Sequence, residues 1–382
     1  MPPATGYSVS RFADRGVPLG GEEALPGFVM KPKSTDRPPL ESAPALWAGA
    51  RHRARRKVQT QTLRCGVVGV VDADGDRREL IAEKLNCPSF ATVEEMIAHG
   101  VDAVSIAVPT VHHLAVAEPL LDAGVACLVE KPLAGDAAEA EKMARLADEN
   151  GVVLMVGHIE RFNPAVRALQ RASAEMEAMG QTGIKPRFIE VHRVSPMTFR
   201  SVDVSVVMDM MIHDLDVVLM LTGGIEPETV DASGVAVLTD HEDVCSARLK
   251  FRLPHGECVV NISASRLAFK TERKTRIIGD NGYVSIDYAK KSGTLIRKTA
   301  NSIQMEEVRE ALRQGHDLTT LDYSKLVAIE PLEIDDADQL ELELSAFLNC
   351  VRTGDRPPID AQSGFAAVRT AERIIASAKA SL

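Results

Sequence analysis

The sequence predicts an α/β protein in two parts. A doubly wound parallel sheet comes first, and a second α/β domain follows, built on a large, mostly antiparallel open sheet. Three observations lead to this class. Between Leu63 and His158, short apolar runs without alternation are separated by segments of helical spacing, as in parallel strands covered on both faces by crossover helices. From residue 188 most strand-like runs alternate apolar and polar residues, the mark of antiparallel sheet with one wet face. The length, 382 residues, suits two domains and a tail.

Taken in order, LRCGVVGVVDAD (63–74) reads as a buried strand ending in acids, and DRRELIAEKL (76–85) as a helix. TVEEMIAHG (92–100) is a short helix closed by glycine, DAVSIAVP (102–109) a strand, and HHLAVAEPLLDAG (112–124) a helix. ACLVEKP (126–132) is a strand; residues 136–151 form a helix with Asp136 as N-cap and Gly151 after its end; VVLMVGH (152–158) is a strand. Helical patterns at 164–179 and 203–222 accompany strands at 188–194, 229–238, 245–253, 257–265, 274–280, 283–288 and 294–298. Pro254-His255-Gly256 and Asp280-Asn281-Gly282 sit where hairpins turn. Helices near 338–352 and 362–380 close the chain. The expected boundaries are therefore 1–62 (irregular), 63–158 (first domain, incomplete), 159–337 (second domain) and 338–382 (helices packing back on the first domain).

Residues 1–57 hold 8 of the 20 prolines and 6 glycines without a sustained apolar period, a composition that cannot offset its ordering entropy. They end in RHRARRK (51–57), which reads as a solvated basic stretch in preference to a nucleic-acid contact. The whole chain carries 44 basic and 54 acidic residues, a net charge of −10, which argues against broad nucleic-acid binding. The most apolar long stretch, Val204 to Leu221, is broken by Asp209, His213, Asp214 and Asp216, so no run of about 20 apolar residues is available to span a bilayer. The start lacks an apolar core followed by a cleavage site, and the six scattered cysteines form no CxxC pair or zinc spacing. A cytoplasmic location is expected.

Three constellations carry chemistry. Asp72 stands at the tip of the second strand expected of a dinucleotide fold, where an acid accepts the adenosine ribose hydroxyls and repels a 2′-phosphate. DADGD is equally good turn chemistry, and the sequence leaves both readings open. Lys131, in Val129-Glu130-Lys131-Pro132, ends a parallel strand and points to the crevice where such sheets bind ligands. An ammonium there stabilises the alkoxide formed as hydride leaves; a surface lysine before a proline turn is the alternative. In DMMIHDLD (209–216), Asp209 and His213 lie four apart on one helical face, and an imidazole beside a carboxylate suits proton abstraction from a carbinol. A capped or core histidine competes with that reading. A helical metal site of Asp209, His213 and Asp216 is weaker, since further His or Cys ligands are missing; no metal is expected.

In this order, with AVPTVHH, VEKPLAG and GHIERFNPAV between them, these features resemble the glucose–fructose oxidoreductase / inositol dehydrogenase (Gfo/Idh/MocA) family over about 63–382. The resemblance implies a Rossmann-type first domain, a second domain whose open sheet mediates homo-oligomerisation, and NAD as cofactor, with NADP disfavoured by Asp72 unless Arg77 and Arg78 weaken the preference. It implies catalytic roles for Lys131, Asp209 and His213, and cofactor contacts at Asp72, Pro109, Thr110, His113, Glu130, Lys131 and Arg161. EVHRVSPMTFRSVDVSVVMDMMIHDLDVVL looks like the branch acting on nucleotide sugars, similar to UDP-N-acetylglucosamine 3-dehydrogenases. Lys131, Asp209 and His213 would meet the sugar, and Arg193 and Arg200 its diphosphate as planar cations; for these two arginines a surface role is the alternative. Inositol or a simple aldose is a second substrate class.

One departure stands out. The family opens with a strand, a GxGxxG turn and a helix whose amides receive a pyrophosphate. Here residues 33–62 carry one glycine, Gly49, while Gly66 and Gly69 fall inside the second strand. The first strand, loop and helix read as lost or scrambled, which makes a sugar-nucleotide-binding relative impaired in catalysis the rival function.

Overall fold

A computed structural model describes residues 27–28, 66–180, 182–198, 203–300, 302–316 and 322–380. The chain divides into two compact units, 1–158 with 340–368, and 159–339 with 369–382.

In the first unit, strands β1 (Gly27–Phe28), β2 (Val70–Val71) and β3 (Ser89–Phe90) form one small sheet in the order β1-β2-β3. Strands β4 (Ala103–Ile106), β5 (Ala126–Glu130) and β6 (Leu154–Gly157) form a second, wholly parallel one. Their apolar runs bury Ala103, Val104, Ile106, Cys127, Val129, Met155 and Val156, which explains the absence of alternation. Helices α1 (Gly75–Leu85), α2 (Val93–His99), α3 (His113–Asp122) and α4 (Ala137–Asn150) link them. The caps are those the sequence offers. Asp74 accepts the Arg77 amide at 3.0 Å, Thr92 that of Glu95 at 3.2 Å and Asp136 that of Glu139 at 2.8 Å, each filling an orphan donor of a first turn. Gly151 ends α4 at φ 61°, a left-handed position that favours glycine.

Two differences concern the N-terminal segment, expected to be irregular. Gly27 and Phe28 pair with Val71 and Val70 antiparallel, so this sheet is mixed and its first described strand precedes Leu63. The parallel pairing starts at Val70, with Ser89. The rest of 1–62 lies outside the described residues.

The second unit is built on eight strands: β7 (Pro186–Val194), β8 (Thr229–Val235), β9 (Val244–Leu253), β10 (Gly256–Ser265), β11 (Glu272–Gly279), β12 (Gly282–Asp287), β13 (Ser292–Lys298) and β14 (Val327–Pro331). Their order is β14-β13-β12-β11-β7-β10-β9-β8, with only β7 and β10 parallel. One face is buried, by Ile189, Val191, Leu249, Phe251, Val260, Ile262, Ile277 and Val284 among others. Helix α5 (Pro164–Ala178) packs on β12 and α6 (Ile212–Leu221) on β7. On the other face, direct cross-strand partners run Val259–Phe188–Ile278–Tyr283–Ile296–Ile329 across six strands. Partners directly opposite share a face, so this is a continuous apolar row. A polar row lies beside it, with Arg248 bonded to Asn261 at 3.0 Å and Arg276 to Glu190 at 2.8 Å.

Helix α7 (Ser302–Arg313) follows β13, and α8 (Gln339–Thr353) and α9 (Ala361–Ala380) close the chain. The sequence reading placed all of 338–382 on the first domain. The structure gives 340–368 to the first unit, where Met155 bridges Asp360. Residues 369–382 fall to the second, where the Ser377 hydroxyl accepts the Ala232 amide at 3.0 Å. No described helix is long and apolar enough to cross a membrane.

Candidate functional site

In the first unit, parallel pairing brings the carboxyl ends of β4, β5 and β6 to one edge. There β4 leads into Val108-Pro109-Thr110, β5 into Lys131, and β6 into buried His158. The Lys131–Pro132 peptide is cis. His113 stands between two of these ends. Its ring, 1% exposed, places Nδ1 3.0 Å from the Pro132 carbonyl and 3.1 Å from that of Leu133, and Nε2 3.0 Å from the carbonyl of Val108. Burial pushes the His113 imidazole below its ordinary value, against the pull of those carbonyls. Expected as a cofactor contact, His113 has both ring nitrogens within 3.1 Å of backbone carbonyls, and the nitrogen that carries the proton of the neutral ring donates to one side. Glu130 packs under Gly157, where an added Cβ would stand 3.2 Å from the Glu130 Cα; glycine there is what allows the strands to approach.

Asp72 is also committed. It is 9% exposed, and its Oδ1 accepts the Asp74 amide at 2.9 Å and Arg77 Nη2 at 2.5 Å, while Oδ2 accepts Arg77 Nε at 2.5 Å. The expected preference for NAD rested on Asp72 and allowed for Arg77 and Arg78 to weaken it; the structure pairs Arg77 with the Asp72 carboxylate. Asp72 stabilises the DADGD turn and stands at the strand tip.

In the second unit the sequence 207–221 folds as a π-turn (Val207–Met211) running into α6. The expected uniform helix is thus widened at Asp209. A π-turn has more than four residues per turn, so Asp209 and His213 still overlap along one side. Asp209 is half-buried and His213 is 4% exposed. Every residue from Ile212 to Leu219 is buried, including Asp214 and Asp216. Buried acids on an apolar helix need cationic partners, and two arginines provide them. Arg161, in the short helix Ile159–Phe162, grips Asp216 through Nε at 2.7 Å and Nη2 at 2.6 Å. Arg193, on β7, holds Asp214 in a bidentate pair and donates to Glu160 at 2.9 Å. Arg273 stands 3.6 Å from the same Glu160, which also accepts from Asn163 at 3.0 Å. Burial pushes the Glu160 carboxyl up, but Arg193, His213 and Arg273 together hold it below the usual range.

Two of the arginines expected to bind ligands lie in this network. Arg193, expected on a substrate diphosphate, is 3% exposed and has its guanidinium occupied by two carboxylates. Arg161, expected on the cofactor, is spent on Asp216, a pairing that also removes Asp216 from any helical metal site. Arg200 lies outside the described residues. Glu160 and Asp214 are the residues that sequence reasoning left without a role. Their signal was present, since acids inside an otherwise apolar helix demand partners, but the sequence does not say which arginines answer.

The residues of the first unit fit a dinucleotide at its two ends: an acid with arginines at the tip of β2, and a lysine beside a fixed loop after β5. A pyrophosphate cradle is not found among the described residues. Gly69 does not form one, because an added Cβ would lie 2.3 Å from the Phe90 ring; that glycine makes room for packing.

Residues 47–158 match an oxidoreductase family with an NAD-binding Rossmann fold, and residues 192–285 match the GFO/IDH/MocA C-terminal domain. The chain is 34% identical over 304 residues to UDP-N-acetylglucosamine 3-dehydrogenase of Acidithiobacillus ferrooxidans, covering 79% of this chain and 87% of that protein. The solved structure of that enzyme superposes with a TM-score of 0.72 at 32% identity, over 87% of this chain and 96% of that one. A myo-inositol dehydrogenase of Streptomyces leeuwenhoekii is 37% identical over 170 residues, 44% of this chain and 51% of that protein.

Proposed function

Since the chain belongs to the Gfo/Idh/MocA oxidoreductase family, we propose that it is an NAD(P)-dependent dehydrogenase oxidising a secondary hydroxyl of a nucleotide sugar, such as the third carbon of UDP-N-acetylglucosamine. The observation that carries this reading is the similarity to UDP-N-acetylglucosamine 3-dehydrogenase along 79% of the chain. The dinucleotide, when bound, supplies the hydride acceptor. Lys131 donates to the reacting hydroxyl and stabilises negative charge on its oxygen. His213 takes the hydroxyl proton, with Asp209 orienting the substrate beside it. The Arg161–Asp216 and Arg193–Asp214 pairs hold α6 so that His213 keeps one orientation. Asp72 faces the adenosine ribose, and Pro109, Thr110 and Glu130 line the nicotinamide end. The open sheet face joins a second copy of the chain, a role supported by the apolar row, in which Ile278 is 43% and Ile329 60% exposed.

The test is direct. Purified protein is mixed with NAD or NADP and a panel of nucleotide sugars, inositol and aldoses, and the absorbance of reduced nicotinamide is followed. UDP-N-acetylglucosamine is expected to give the highest kcat/KM; turnover of inositol alone would remove the nucleotide-sugar reading. A second reading, a sugar-nucleotide-binding relative without turnover, is favoured by the single glycine in residues 33–62. It predicts nucleotide-sugar binding by calorimetry with no dinucleotide binding.

A further inference from the structure

The arginines of the large sheet in the second unit are nearly all spent within the protein. Arg187, Arg193, Arg248, Arg252, Arg276 and Arg297 each donate to a protein oxygen. Among the described residues, Arg273 is the sheet arginine whose guanidinium makes no hydrogen bond: its Nη1 lies 3.6 Å from Glu160, beyond hydrogen-bond range. Strand register fixes where it stands. Arg273 on β11 is directly opposite Arg193 on β7, and opposite partners share a face. That face is the one α6 covers, since Arg193 reaches Asp214 from it. The same face thus carries one arginine sealed against the helix and another, 43% exposed, open to solvent. Glu160 links the pair to the proton-accepting residue. It accepts from Arg193 at 2.9 Å, and His213 and Arg273 both act on its carboxyl.

A nucleotide sugar carries its diphosphate on the anomeric carbon, so the group that receives it must lie near the one that takes the hydroxyl proton. Arg193 is buried and occupied, whereas Arg273 offers a guanidinium on the same face with its donors in reach of solvent. Paired N–H donors in a plane match phosphate oxygens. When Arg273 turns to a phosphate, Glu160 keeps Arg193 and Asn163 as donors, and a half-exposed ion pair does little to oppose the turn. We propose that Arg273 receives the diphosphate of the substrate, the part that the sequence assigns to Arg193. This role rests on the nucleotide-sugar reading above and names the residue that tells a nucleotide-linked sugar from a free one.

Isothermal titration of the full chain with UDP reads binding without turnover. Wild type is expected to bind UDP, and Arg273→Ala to weaken it by about 10–100-fold through loss of charge-assisted hydrogen bonds. Arg273→Lys should fall between the two, keeping a point charge without the paired donors. The melting point of Arg273→Ala should stay within about 4 °C of wild type, since the pair with Glu160 is partly solvated. On a confirmed nucleotide sugar the variant should raise KM with kcat little changed, because the diphosphate does not react. A loss of UDP affinity smaller than about tenfold overturns the proposal and leaves the nucleotide-sugar reading intact. Weakened UDP binding with a melting point lowered by more than about 4 °C also overturns it, by reducing Arg273 to a structural role. No UDP binding by folded wild-type protein removes the nucleotide-sugar reading itself, and this role with it. Should Arg273→Ala fail to fold, Arg273→Gln keeps much of the stem without the charge, and the same ratio is read.

Discussion

Arg193→Met tests the network beneath α6. Methionine keeps much of the buried stem and deletes the guanidinium, leaving Asp214 without its bidentate partner and Glu160 without its closest one. Removing one partner of a buried ion pair costs about 3–5 kcal/mol, because the remaining charge has lost its compensation. For a folding unit of the size of residues 159–339 with 369–382, that corresponds to a melting point lowered by about 6–20 °C. Thermal unfolding followed by circular dichroism at neutral pH reads it. The pH dependence carries a second sign. In the wild type the Glu160 carboxyl is held below its ordinary value of 4.5, so its stabilisation is complete above that value and is lost as pH falls through the folded one. Without Arg193, burial is the leading influence and pushes Glu160 up. Its ionisation then opposes folding at neutral pH, and that cost is relieved as pH falls. The deficit of Arg193→Met should therefore be largest near neutrality and narrow towards about pH 5. Adding Glu160→Gln and Asp214→Asn should restore part of the melting point. A single variant melting within about 2 °C of wild type at neutral pH, or a deficit indifferent to pH, would refute the reasoning.

Lys131→Ala and His213→Ala should each lower turnover by about 10²–10⁴-fold with unchanged far-ultraviolet circular dichroism; either variant retaining near-wild-type rate on a confirmed substrate leaves the catalytic set. His113→Asn should destabilise the first unit by about 1–3 kcal/mol, since the buried hydrogen bond from the ring to a backbone carbonyl is lost, and chemical denaturation reads the loss. The buried His113 is held below its ordinary value of 6.5, so wild-type stability should fall as pH drops below that value, where the unfolded chain binds the extra proton. The slope should be shallower in His113→Asn, and an unchanged slope counts against a neutral buried ring. Ile278→Asp places a charge in the apolar row of the open face and should reduce the mass seen by light scattering; an unchanged mass moves the oligomer interface elsewhere.

The class of the fold was legible because it is written in apolar spacing. Buried strands such as Ala126–Glu130 and half-wet ones such as Val244–Leu253 announce themselves differently, and Asp136 and Gly151 mark their helix to within a residue. What escaped has weak or competing signals. Strand β3 is two residues long, and β14 is an edge strand that ends in Pro331. Helix α7 leaves Ile303 68% and Leu312 59% exposed and is laced by Glu306 to Arg309 and Glu310 to Arg313, both at 3.3 Å. Its pattern is thus one of charge spacing more than of a core stripe. The pairing of Gly27–Phe28 with β2 is long-range and antiparallel, and no local periodicity encodes it.

The candidate site divides along the same line. Residues whose position follows from the end of an element were placed correctly in the chain: Asp72 after β2, Lys131 after β5, His213 on its helix. Residues that bond to a distant partner carried no local sign of it. Arg161, Arg193 and His113 have the side chains of ligand-binding groups, yet each is engaged by groups 5 to 55 residues away, among them Val108, Pro132, Asp214 and Asp216. A guanidinium cannot hold a buried carboxylate bidentately and also receive a diphosphate through the same donors. Burial therefore decides between the two uses, and burial is a tertiary property. The consequence for the chemistry is a division of labour on α6. The acids at 214 and 216 point to arginines and anchor the helix, and His213 stands between the π-turn and Asp214. The anchoring is what lets an imidazole on a helix otherwise buried from Ile212 to Leu219 keep the orientation that proton transfer requires.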